Sequence, residues 1–238
     1  MFPEKINEFQ EGQVLIFSKP HHWTSFDLVK KIKGILQKQL NQKIKIGHAG
    51  TLDPLATGLI ILCTGKATKR ISEFQDMNKE YIATIELGKT TPSYDLETEF
   101  DNKYDFKHIT KDIFESVLEK FVGETYQIPP AYSAKKHKGK RAYEFARRGV
   151  EIELKASRID IYEIELLEFY LPLVKLRILC SKGTYIRALA RDIGKALDNG
   201  AYLKTLERTR IGDYCINDAF TIDSFEKELS KITIHQNE

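Results

Sequence analysis

The sequence predicts an α+β fold on a mixed, largely antiparallel β-sheet with flanking helices. Two observations predict it. Tyr81, Ala83, Ile85 and Leu87 alternate with Ile82, Thr84 and Glu86, the period-two pattern of a half-buried strand. Helical periodicities also occur, but without a regular strand–helix–strand beat, so a doubly wound parallel sheet is not indicated. There is no internal repeat and no low-complexity linker.

Taken in order, residues 14–17 read as a strand. Ser25 is the candidate N-cap of a helix carrying Leu28, Val29, Ile32 and Leu36 on one face. The apolar run 59–63 reads as a buried strand. Residues 90–105, polar and rich in Asp, Glu and Thr, read as an exposed, weakly ordered insertion. Thr110 is the candidate cap of a helix with Ile113, Phe114, Val117, Leu118 and Phe121 inward, stopped by Gly123. Residues 127–149 read as a second such insertion. Residues 157–180 suggest two strands broken near Pro172, and 185–197 a helix ending before Asn199-Gly200.

Bulk properties set limits. At 238 residues the chain can bury a sizeable core, as one large domain or two small ones. Lys and Arg number 37 against 34 Asp and Glu, a net of +3, so nucleic-acid binding must come from local patches. Cys63, Cys180 and Cys215 are an odd number without metal-ligand spacing, which suggests reduced thiols in a cytoplasmic protein. The N-terminus lacks an apolar signal core, and no apolar stretch approaches the roughly 20 residues that span a membrane. A soluble, cytoplasmic protein without membrane association is expected.

The most informative stretch is Gly47-His-Ala-Gly-Thr-Leu-Asp-Pro-Leu-Ala-Thr-Gly58. Gly50 and Gly58 give backbone freedom, while Pro54 fixes its own φ and steers Asp53 toward an extended conformation. A tight loop presenting one acid should result. No other Asp or Glu lies between Gly47 and Gly65, so neither a local carboxylate pair nor a metal cluster is indicated. In isolation, Asp53 would be read as a turn or helix cap.

Two basic segments suggest a polyanionic substrate. Lys30, Lys31, Lys33, Lys38, Lys43 and Lys45 form a run without an acid that leads into the Asp53 loop. Lys135, Lys136, Lys138, Lys140, Arg141, Arg147 and Arg148 face one acid, Glu144, with Tyr132, Tyr143 and Phe145 interleaved, as on RNA contact surfaces.

The aspartate loop resembles the catalytic motif of the TruB-type tRNA pseudouridine synthases. Four further segments match that family in order: Phe17-Ser18-Lys19-Pro20 with Thr24-Ser25, Lys79-Glu-Tyr-Ile-Ala-Thr-Ile-Glu-Leu-Gly88, Gln127-Ile-Pro-Pro-Ala-Tyr-Ser-Ala-Lys135 and Cys180-Ser-Lys-Gly-Thr-Tyr-Ile-Arg187. Together they span roughly residues 14–212. The resemblance implies a pseudouridine synthase catalytic domain over 1–212, with a substrate-clamping thumb at about 127–149. The remaining 213–238 are expected to be a short tail, too short for the RNA-binding PUA domain that many family members carry.

Function follows as a set of expectations. The resemblance implies isomerisation of uridine 55 in the tRNA T loop, on a flipped-out base and with no cofactor or metal. Asp53 would be the nucleophile or proton acceptor, Arg187 its charge partner, and Tyr81 the residue against the uracil ring. His48 would fill the gap left by the flipped base. Tyr185 and Leu206 would line the uridine pocket, Lys19 would brace its floor, and Lys135 would contact RNA. Leu206 is the weakest of these, because Glu207 stands where the family has a base. The expected partner is the tRNA T-stem-loop, bound by a monomer without an obligate protein partner. A non-catalytic tRNA-binding or tRNA-folding protein using the same cleft is the alternative, and a nucleoside hydrolase a remote third.

Overall fold

The computed structural model describes residues 2–137 and 139–235, so Lys138 of the second basic run lies outside the described residues. The chain divides into two compact units, 1–79 with 207–238, and 80–206.

In the first unit, Thr57–Thr64 is the central strand. Val14–Lys19 pairs antiparallel along it, from Val14 opposite Cys63 to Lys19 opposite Gly58. Ile46–Ala49 also pairs antiparallel with it, while Glu207 and Arg208 pair in parallel with Thr57 and Gly58. The apolar run is continuous because both faces are covered. Ile60 and Leu62 join Leu28, Ile32, Leu36, Phe225 and Leu229 on one side. Leu59, Ile61 and Cys63 join Ala49, Phe74 and Ile211 on the other.

The helix Ser25–Leu40 buries Leu28, Val29, Ile32, Leu36 and Leu40, as its periodicity predicts. Its N-cap is Thr24, one residue before the expected Ser25. The Thr24 side chain accepts from the Asp27 N–H while Asp27 accepts from the Thr24 N–H, a capping box that satisfies two otherwise unpaired donors. Residues beyond 212 continue the unit: Phe220 donates to the Ile16 carbonyl and accepts from the Ser18 N–H, both at 2.9 Å. The helix Ile222–His235 follows.

In the second unit, Ser157–Tyr170 and Leu173–Cys180 pair antiparallel, joined through a cis Leu171–Pro172 bond. Gly123–Gln127 adds an edge to the first of them. Lys79–Leu87 lies between Leu173–Cys180 and Ala201–Ile211 and buries Tyr81, Ala83, Ile85 and Leu87 as expected. Lys111–Glu119 and Ile186–Ala196 are the longer helices here. Thr110 caps the former through the Ile113 N–H at 3.3 Å. Ile113 itself is 43% exposed rather than inward, because Phe114, Val117 and Leu118 define the buried face.

Both expected insertions are better built than the composition suggests. In 90–105, Thr91, Ser93 and Asp95 are buried, and the Thr91 hydroxyl donates to the Asp95 carbonyl at 2.6 Å. In 127–149, Lys136–His137 and Lys140–Arg141 form a small hairpin that leads into the helix Ala142–Ala146.

Candidate active site

The Asp53 loop joins strand Ile46–Ala49 to strand Thr57–Thr64. Asp53 to Ala56 form a turn closed by the Ala56 N–H on the Asp53 carbonyl at 3.1 Å, with Pro54 at the position where its fixed φ is pre-set. Asp53 is half-buried. Next to it, the Leu52 N–H donates to Ser25 Oγ at 2.9 Å, and that hydroxyl donates back to the Leu52 carbonyl at 3.2 Å. Ser25 is thus a loop anchor rather than a helix cap.

Two buried cations lie under this loop. Lys19 is 0% exposed; its Nζ donates to the carbonyls of Trp23 at 2.6 Å, Pro20 at 2.9 Å and Pro54 at 3.4 Å. Burial lowers its pKa to about 8; the Asp53 charge opposes that shift and the Arg208 charge adds to it. Arg208 is 1% exposed, with Nε donating to the Leu59 carbonyl at 2.7 Å and Nη2 to the Gly50 carbonyl at 3.1 Å. Gly58, at φ +103, must be glycine: a Cβ there would lie 2.6 Å from the Arg208 backbone nitrogen. His48 sits on the strand entering the loop. Burial lowers its pKa, and a backbone hydrogen bond at Gly50 opposes that shift.

The second unit holds the other candidates. Arg187, in the first turn of Ile186–Ala196, is 3% exposed. Its Nη1 donates to the Ser93 carbonyl at 3.1 Å and its Nη2 to the Tyr132 carbonyl at 2.9 Å. Its Nε lies 3.4 Å from Asp95 Oδ2. Tyr185 precedes it, fixed at both backbone polar groups by Gln127: its N–H donates to Oε1 at 2.8 Å and its carbonyl accepts from Nε2 at 3.2 Å. Tyr81 is buried on its strand and Leu206 half-buried. Lys135 is exposed, its Nζ donating to Ser157 Oγ at 3.0 Å.

Asp53, Lys19 and His48 therefore belong to one cluster in the first unit, and Tyr185 and Arg187 to one in the second. Sequence reasoning missed Ser25 as a loop anchor, Asp95 and Arg208. Thr91, Ser93 and Asp95 lie in a turn whose hydroxyls donate to the Asp95 carbonyl, and a polar, acidic stretch of this kind reads from sequence as an exposed loop. Arg208 gave no signal either, since a lone arginine among charged neighbours normally faces water.

Among the described residues no helix is long and apolar enough to cross a membrane, and no cluster of three or more His, Cys, Asp or Glu side chains could hold a metal ion. The site is thus a half-buried acid on a braced loop beside a lysine-rich helix, within an α+β fold. Residues 37–186 match the family described as "TruB family pseudouridylate synthase (N terminal domain)", and the chain belongs to the TruB family of pseudouridylate synthases. It is 57% identical over 229 residues to tRNA pseudouridine synthase B of Phocaeicola vulgatus, covering 96% of this chain and 97% of that protein. It is 58% identical over 230 residues to the protein of the same name from Parabacteroides distasonis, covering 94% and 98%. Among solved structures, a chain of a Cbf5–Nop10–Gar1 complex superposes with a TM-score of 0.69 at 28% identity, covering 95% of this chain and 58% of that one.

Proposed function

We propose that this pseudouridine synthase isomerises uridine 55 in the T loop of tRNA, with Asp53 as the acid at the reacting nucleotide. The reaction breaks the C1′–N1 bond, turns the base and joins C5 to C1′. The proton on C5 leaves and N1 gains one, so no redox step is involved. What the protein must supply is a carboxylate able to act as nucleophile or proton acceptor, held where water is excluded. The observation that carries the reading is the Asp53 loop, fixed by Ser25, Lys19 and Arg208 in a member of this family.

Arg187 is the charge partner that keeps the carboxylate ionised and oriented, and Asp95 holds Arg187 in turn. Tyr81 stacks on the uracil and Tyr185 and Leu206 line its pocket. His48, on the strand that enters the Asp53 loop, fills the space left when the base swings out, a step that costs a few kcal/mol of unstacking. Residues 1–212 carry the catalytic machinery, with the segment beyond 212 packed into the first unit, and 127–149 form a thumb that closes on the T-stem-loop. Lys135 contacts the RNA, and the protein works as a cytoplasmic monomer.

The test compares the wild type with Asp53→Ala on a T-stem-loop RNA tritiated at C5 of its uridines. Release by the wild type alone, with pseudouridine mapped to the expected uridine, is the expected outcome. Tight binding without release would favour a tRNA-binding protein, and free uracil a hydrolase.

A further inference from the structure

A guanidinium is charged at every accessible pH, and burying one costs several kcal/mol unless its donors are satisfied. Arg208 is buried to 1% exposure and is not on the thumb, in the basic helix or among the residues expected to touch substrate. Its position is explained by what it holds. Nη2 takes the carbonyl of Gly50 and Nε the carbonyl of Leu59, residues that bracket Asp53. The backbone of Arg208 pairs with Gly58 in the parallel ladder, so closely that only a glycine fits opposite it. One residue therefore grips the entrance of the aspartate loop with its side chain and the exit with both side chain and backbone.

We propose that Arg208 is a positioning residue for catalysis, a strap across the Asp53 loop that fixes where the carboxylate meets the reacting nucleotide. The inference rests on the functional reading above and adds a residue to it. A planar fork with five donors can span two carbonyls, which a single ammonium cannot do in the same geometry. Lys19 supports the loop at a different point, Pro54, so the two cations are not redundant.

The test uses Arg208→Lys, which keeps the charge and most of the stem, and Arg208→Met, which keeps the volume. Thermal unfolding checks the fold. Dissociation constants and single-turnover rates on saturating T-stem-loop RNA separate binding from chemistry, and hydrogen exchange follows the amides of 51–57. The expected result for Arg208→Lys is an RNA affinity within threefold of wild type and a rate lower by about 100-fold, the scale of an ångström-sized misplacement. Exchange should quicken in 51–57 but not in Val14–Lys19. An unchanged rate, or a weakened affinity that accounts for the whole loss, would overturn the proposal. So would failure of both variants to fold, since Arg208 would then be a residue of the core and not of the loop. If the wild type itself released no tritium, the functional reading would fall, while unchanged exchange in 51–57 would still count against the strap.

Discussion

Lys19 illustrates how one side chain can stabilise a loop and still be costly to bury. Three carbonyls surround its ammonium, yet burial lowers its pKa from 10.5 to about 8. Below pH 8 both folded and unfolded chains hold the proton. Between pH 8 and 10.5 the unfolded chain keeps a proton that the folded chain has released, so this residue makes stability rise with pH across that window. Denaturant unfolding of wild type and Lys19→Met should show the difference between them shifting in favour of the wild type from pH 8 to 10.5. A pH-independent difference would mean that Lys19 titrates normally in the fold.

At the level of elements, the start of the helix Ser25–Leu40 divides two tasks between adjacent residues. Thr24 caps the helix and Ser25 anchors the Asp53 loop. Thr24→Ala should cost about 1 kcal/mol of stability, the usual value of a cap, with single-turnover rate unchanged at saturating RNA. Ser25→Ala leaves the buried Leu52 N–H without its acceptor and should cost about 1–3 kcal/mol together with a slower turnover. Equal rates in the two variants would remove the distinction. This helix also shows what sequence can convey. Its buried face was legible from the spacing of Leu28, Val29, Ile32 and Leu36, and the family segments nominated Asp53, Tyr81 and Arg187 as candidates. The one-residue error in its cap has a physical source. Thr24 and Ser25 are both good caps, and the choice between them depends on Leu52, far along the chain. The same holds for Asp95 and Arg208, whose partners Arg187, Gly50 and Leu59 are distant in sequence. Local patterns carry periodicity and turns; they do not carry which polar residue is matched to which buried backbone group.

For the whole molecule, a net charge of +3 gives little overall field, so attraction to RNA must come from particular surfaces. Lys30 and Lys38 are exposed on the basic helix. Replacing both with Gln should reduce the slope of log affinity against log salt by about 1.5, since each phosphate deprived of its lysine accounts for roughly 0.7–0.9. An unchanged slope in T-stem-loop binding would place the RNA elsewhere. The division of the chain has another consequence. The first unit is left at residue 79 and rejoined at 207, while the second is a single stretch. On the ribosome, Asp53 is made early and the strap at Arg208 late, a delay of roughly ten to thirty seconds at ordinary elongation rates. A nascent chain therefore carries its lysine-rich helix and its Asp53 loop well before the residue that grips both ends of that loop has been made.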